Sequence, residues 1–178
     1  MNESASITAA AAIVFYALGF AQLITAQKQT AETMAAASGT QKRVALLGLA
    51  AVLCHAWATF SALVTDAGID LALVHVCNYI AVVMVAVVAA ANSRLPVISV
   101  NLLLFPIAVV NALALLIVKP GNSTQLAIDS IQSAHIILSL TAYAGLMTAA
   151  QSDSFIKALI DFEMHGYAST HQKSNSIL

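Results

Sequence analysis

Residues 44–65 read VALLGLAAVLCHAWATFSALVT, a run of 22 residues with no Asp, Glu, Lys or Arg. About 20 apolar residues in a helix cross about 30 Å of hydrocarbon. A strand of a membrane barrel would alternate polar and apolar residues, and this run does not. It is read as a transmembrane helix. One ionisable side chain sits in its interior, His55. At about 1.5 Å per residue, His55 lies about 16 Å in, near mid-membrane.

Four more runs flank this one, over 5–26, 71–91, 97–118 and 131–150, and none carries a formal charge. Between them lie turn-forming residues: Ser38 and Gly39, Asp66 to Gly68, Asn92 to Pro96, and Lys119 to Asn122. The first run lacks a basic segment before it, Glu3 being the only charge there. It is also longer than the roughly 7–15 apolar residues of a signal peptide, so it is read as a retained helix.

Composition agrees. The 178 residues are 60% hydrophobic and 8% charged, against about 25% charged in a soluble domain. The net charge of −1 gives no reason to expect nucleic acid as a partner. Six basic residues (Lys28, Lys42, Arg43, Arg94, Lys157, Lys173) fall on one side of the five spans and Lys119 on the other. The positive-inside rule then places the N-terminus outside and the C-terminus in the cytoplasm. The expected fold is all-α: a polytopic membrane bundle of about five helices over 1–151. A cytoplasmic amphipathic segment and disordered tail follow over 152–178.

Three finer features are legible. Gly48, Ala51, Ala58 and Ala62 form a strip of small residues on the second helix, suited to close helix approach. Pro106 is expected to kink the fourth helix. Asn101 and Asn111 in that helix need hydrogen-bond partners and are expected to face other helices.

Polar groups at membrane depth are costly, which makes them candidates for function. Besides His55 these are His75, about four residues into the third span, and His135, about four into the fifth. Both are counted from the outer side, so both lie about 6 Å below that boundary. Asn78 and Tyr79 follow His75 by three and four residues and share its helix face, which is expected to point into the bundle. Neutral imidazole ligates iron and other transition metals, and helix-borne histidines can hold haem between packed helices. The bland alternative is that each histidine hydrogen-bonds a neighbouring helix or reaches the interface. Zinc fits less well, because no carboxylate lies within the spans and the cysteines, Cys54 and Cys77, form no paired motif. His165 and His171 fall in the polar tail and are expected to be solvated. No serine elbow or phosphate-binding glycine loop is present, so a conventional active site is not expected.

The stretch Ser133-Ala134-His135-Ile136-Ile137-Leu138-Ser139-Leu140-Thr141-Ala142-Tyr143-Ala144 resembles the His-x₇-Tyr-Ala stretch of the cytochrome c assembly protein family, the CcsA-, HemX- and YpjD-like inner-membrane proteins. Leu53-Cys54-His55-Ala56 resembles the second-helix Leu-x-x-His pattern of that family. Leu102-Leu103-Leu104-Phe105-Pro106-Ile107 resembles its fourth-helix Leu-Leu-Phe-Pro motif. The short outer loop into Leu71-Ala72-Leu73 occurs in the same order, and the resemblance covers roughly residues 44–151.

The resemblance implies haem handling at the outer face of a bacterial inner membrane. It implies haem as cofactor, with His135 as external axial ligand, His55 as an intramembrane one, and Tyr143 beside them. His75 has no counterpart in the pattern. The synthase branch also has a Trp-rich external segment, whereas this chain has one tryptophan, Trp57, inside the second span. Family members continue for about three more helices. Here the fifth span is the last, so the resemblance implies either a truncated member or a membrane-protein partner that supplies the remaining helices. Two other functions stay open: a non-catalytic membrane regulator or assembly subunit whose histidines only bond between helices, and half of a small transporter.

Overall fold

A computed structural model describes residues 3–29, 34–66, 68–91, 100–118, 125–126, 131–151 and 157. These residues form five helices: α1 (Glu3–Gln29), α2 (Met34–Leu63), α3 (Leu73–Ala91), α4 (Asn101–Ile117) and α5 (Ile131–Gln151). Four segments are long and apolar enough to cross a membrane: Glu3–Thr25, Gln41–Leu63, Leu73–Ala91 and Ile131–Gln151. The described part of α4 is apolar but has 17 residues, about 25 Å, the short end of what spans a bilayer.

Helices α1 to α4 close a ring. α1 packs on α2 and α4, and α3 packs on the same two. In α1 the buried residues are Ala5, Ala9, Ala12, Tyr16, Gly19 and Leu23. In α2 they include Val44, Gly48, Ala51, His55, Ala58 and Ala62. Both sets step by four and three alternately, the repeat of a helix-pair seam. The two helices run antiparallel, since Ala9 clusters with Ala58 and Ala62, and Tyr16 reaches His55. The outward faces carry the large residues: Ile7, Val14 and Leu18 on α1, and Leu46, Leu49, Leu53, Trp57 and Phe60 on α2. Both faces are apolar, so polarity does not separate inside from outside. Size does, because small residues let the backbones approach and gain dispersion contacts.

Phe105 of α4 fills the centre. A Cβ added at Gly19 would lie 2.7 Å from the Phe105 ring, and one at Gly48 would lie 3.2 Å from it. The ring thus sits in a notch between two helices that only glycine leaves open. Pro106 follows it and removes the hydrogen bond that the Leu102 carbonyl would otherwise accept.

Three short strands cap one end: β1 (Val64–Thr65), β2 (Gly68–Asp70) and β3 (Gln125–Leu126). β1 and β2 form an antiparallel hairpin, with Val64 opposite Ile69. Gly68 enters it at φ 128°, a backbone conformation a side chain would strain. β3 pairs antiparallel with β2, Ile69 lying opposite Leu126. The α2–α3 and α4–α5 connections therefore meet at one end, as five helices of alternating direction require.

Several expectations need correction. Ser38 and Gly39 do not break the chain, because α2 begins at Met34 and runs through them. An isolated glycine costs a helix only about 1 kcal/mol, and Gly39 has nothing within 4 Å to disturb. The second span ends at Leu63, where the hairpin begins. Among the described residues Asn111 bonds its own helix and not another: its Nδ2 donates to the Ile107 carbonyl at 2.9 Å. Apart from Lys157, the segment 152–178, with His165 and His171, lies outside the described residues.

Candidate functional site

Three helices contribute to one buried polar chain. Asn78 of α3 donates from Nδ2 to the Val74 carbonyl at 2.8 Å. A carbonyl can only accept, so this bond fixes which way the amide points. The Asn78 Oδ1 then faces Nε2 of His55 at 2.8 Å, and Nε2 must carry the proton. Nδ1 is left with its lone pair and accepts from the Tyr16 hydroxyl of α1 at 3.4 Å. The chain runs in one direction, Tyr16 to His55 to Asn78 to the backbone, with His55 neutral. All three side chains are fully buried.

The rings pack as well as bond. Tyr16 meets His55 edge-on, with centroids 5.8 Å apart at 80°. Its other side meets Phe105 at 5.4 Å and 47°. Phe105, Tyr16, His55 and Asn78 thus form a continuous column across the bundle. Thr59, one turn beyond His55, is also buried, and its hydroxyl finds no partner among the described residues.

A second polar pair lies at the capped end. Asp70 of β2 accepts the Ala72 N–H at Oδ1, 2.9 Å, an Asx-type turn that starts α3. Its Oδ2 is 3.5 Å from Nδ1 of His75. That distance allows charge attraction, but the alignment does not make a hydrogen bond, and Nδ1 is left buried without one.

His135 stands differently. It lies in the second turn of α5 and is exposed. Tyr143, eight residues on, is exposed too. α5 turns Ser133, Ala144 and Thr148 inward and touches α3 through hydroxyls. Thr141 donates to the Ile137 carbonyl at 2.8 Å, so the Tyr79 phenol is the donor in its 2.7 Å bond to Thr141.

Of the face shared by His75, Asn78 and Tyr79, the first two turn into the ring and Tyr79 turns to α5. The sequence reading did not single out Tyr16, Asp70 or Thr141. Tyr16 occupies a seam position between Ala12 and Gly19, a signal that the surrounding alanines mask. Asp70 and Thr141 had none that periodicity could show.

Fit to haem differs among the three histidines. An axial ligand needs a nitrogen lone pair aimed at iron. In His55 one nitrogen donates to Asn78, and the other's lone pair meets Tyr16. Ligation there would break the polar chain and displace buried rings. His75 is buried beside Asp70. His135 is accessible and has no competing partner among the described residues. No group of three His, Cys, Asp or Glu side chains comes together among the described residues.

Comparison with family models, with curated proteins and with solved structures gives no match.

Proposed function

We propose that this chain is a multi-pass protein of a bacterial inner membrane, N-terminus outside, that contacts haem through His135 during cytochrome c assembly. It acts as a binding or delivery component and makes no bonds itself. The observation that carries this reading is the placement of His135. It is exposed near the start of α5, at the end of the bundle where the α2–α3 and α4–α5 connections pair, and lies within the stretch that resembles the assembly family. In this reading His55 is an interhelical bonding residue.

A second reading is favoured by one observation. Both nitrogens of His55 are engaged by protein groups, which suits a non-catalytic assembly subunit that binds no haem and works through a membrane partner.

A reduced-minus-oxidised absorption spectrum of the full chain, purified in detergent after haem-replete expression, tests the two. Haem contact through His135 gives a Soret band that His135→Ala abolishes, while His55→Ala leaves absorbance per folded protein unchanged. Absence of the band in the unaltered chain overturns the haem reading and leaves the second.

A further inference from the structure

The polar pair at the strand end is half made. Asp70 closes β2, opposite Gln125 of β3, and its Oδ1 holds the Ala72 N–H. The Ala72 carbonyl in turn accepts the His75 N–H at 2.9 Å and the Val76 N–H at 3.1 Å. One carboxylate therefore joins the central strand of the cap to the first turn of α3. Its second oxygen faces Nδ1 of His75 at 3.5 Å. Both side chains are buried, and Nδ1 is left without a hydrogen bond.

A neutral imidazole carries one N–H. With that proton on Nε2, a lone pair of Nδ1 and a carboxylate oxygen face each other and repel. With it on Nδ1, the ring is not aligned to give the proton to that oxygen. Protonation makes both nitrogens donors and sets a positive charge 3.5 Å from a carboxylate. Between buried groups that attraction is screened less than at a surface. A small turn of the ring then closes the gap to a charge-assisted bond of about 2.7–2.9 Å. The proton has a short way to come, since Leu73, at the start of α3, is 78% exposed.

The other ionisable groups described on the elements around the pair do not compete for it. Glu3 of α1, Asp66 beside β1, Cys77 of α3 and His135 of α5 are exposed. Tyr79 of α3 is turned to Thr141, and His55 of α2 is held between Tyr16 and Asn78.

We infer that Asp70 and His75 form a proton-operated latch: a proton taken up by His75 fastens its Nδ1–H to the Asp70 Oδ2 and clamps the start of α3 to the central strand of the cap. Because β2 pairs with both β1 and β3, the latch acts on the α2–α3 and α4–α5 connections together. Asn78, three residues after His75, carries the same helix into the polar chain with His55. The inference rests on neither the membrane reading nor the haem reading.

Amide hydrogen exchange of the full chain in detergent, followed from about pH 8 to about pH 5.5, covers the range in which imidazoles titrate. Each rate is taken relative to that of the unfolded chain at the same pH. The bond exists only while His75 is protonated and Asp70 ionised, so it is present at the acid end and lost as pH rises. Protection of the His75 and Val76 amides should therefore rise about tenfold as pH falls. Asp70→Asn keeps an oxygen for the Ala72 N–H but removes the charge. His75→Gln keeps a polar group but does not titrate. In each variant, and in the two combined, protection should stay flat across the range. A rise in Asp70→Asn equal to that of the parent, or a parent that shows none, overturns the latch. Should the variants unfold, the ¹⁵N resonance of His75 Nδ1 in the labelled parent decides. Two protonated ring nitrogens at the acid end support the latch, and a ring that stays neutral throughout overturns it.

Discussion

The ring α1–α4 and the helix α5 are built on different terms. Within its best apolar window, 39% of α2 is buried, against 17% of α5. The ring holds itself together by shape: alanine and glycine seams, a phenylalanine in a glycine notch, and a polar chain bonded through three helices. α5 is held to α3 by the Tyr79–Thr141 bond, and it presents Leu138, Tyr143, Leu146 and Met147 outward. The stretch from Ser133 to Ala144 therefore lies on a helix less covered than α1, α2 or α3. The two histidines of the ring, His55 and His75, are buried against protein groups, while His135 on α5 is exposed.

The sharpest way to break this contrast is at the notch. Gly19→Leu places a branched side chain where even a Cβ lies 2.7 Å from Phe105. It should cost about 1–3 kcal/mol or more and lower the melting temperature of the whole ring. A variant as stable as the parent would show that shape does not hold the ring.

Next comes the polar chain. His55→Leu strands the Asn78 oxygen and the Tyr16 hydroxyl in a dry interior, at about 1–2 kcal/mol. Adding Asn78→Leu should cost less than its own single effect, since its partner is already gone. A double-mutant cycle in detergent measures the difference, and strict additivity would count against a coupled chain.

The α5 contact is weaker. Tyr79→Phe removes one interhelical bond, about 0.6 kcal/mol. Hydrogen exchange should quicken in α5 and leave α1 and α2 unchanged. Exchange that quickens everywhere would mean that α5 belongs to the ring after all. The smallest effect is expected at Thr59. Its hydroxyl is buried without a partner, so Thr59→Val, of nearly the same shape, should change stability by about zero or slightly raise it.

What could be read from sequence follows from the same physics. Five helices were legible because runs such as 44–65 exclude charge over a bilayer's length. The small-residue strip of α2 was legible too, and Gly48, Ala51, Ala58 and Ala62 are all buried. The matching seam of α1 is not legible, because Ala5, Ala9 and Ala12 sit among other alanines and both faces of the helix are apolar. Tyr16, the group that meets the second nitrogen of His55, is hidden with that seam. The inward face of Asn78 is legible from its spacing to His75, but its partner across the helix gap is beyond any local pattern. Strands of two or three residues carry too little periodicity to be seen.

The pairing of β2 with β3 also bears on how the chain is made. The first two strands leave the ribosome together and can form their hairpin at once. The third follows only after α4, and in a membrane it can reach Ile69 only once that helix has crossed. The backbone of β2 therefore waits with one edge open until a short, proline-bearing helix has returned the chain to the strand end. Closing that edge joins the two connections and fixes α3 and α4 side by side.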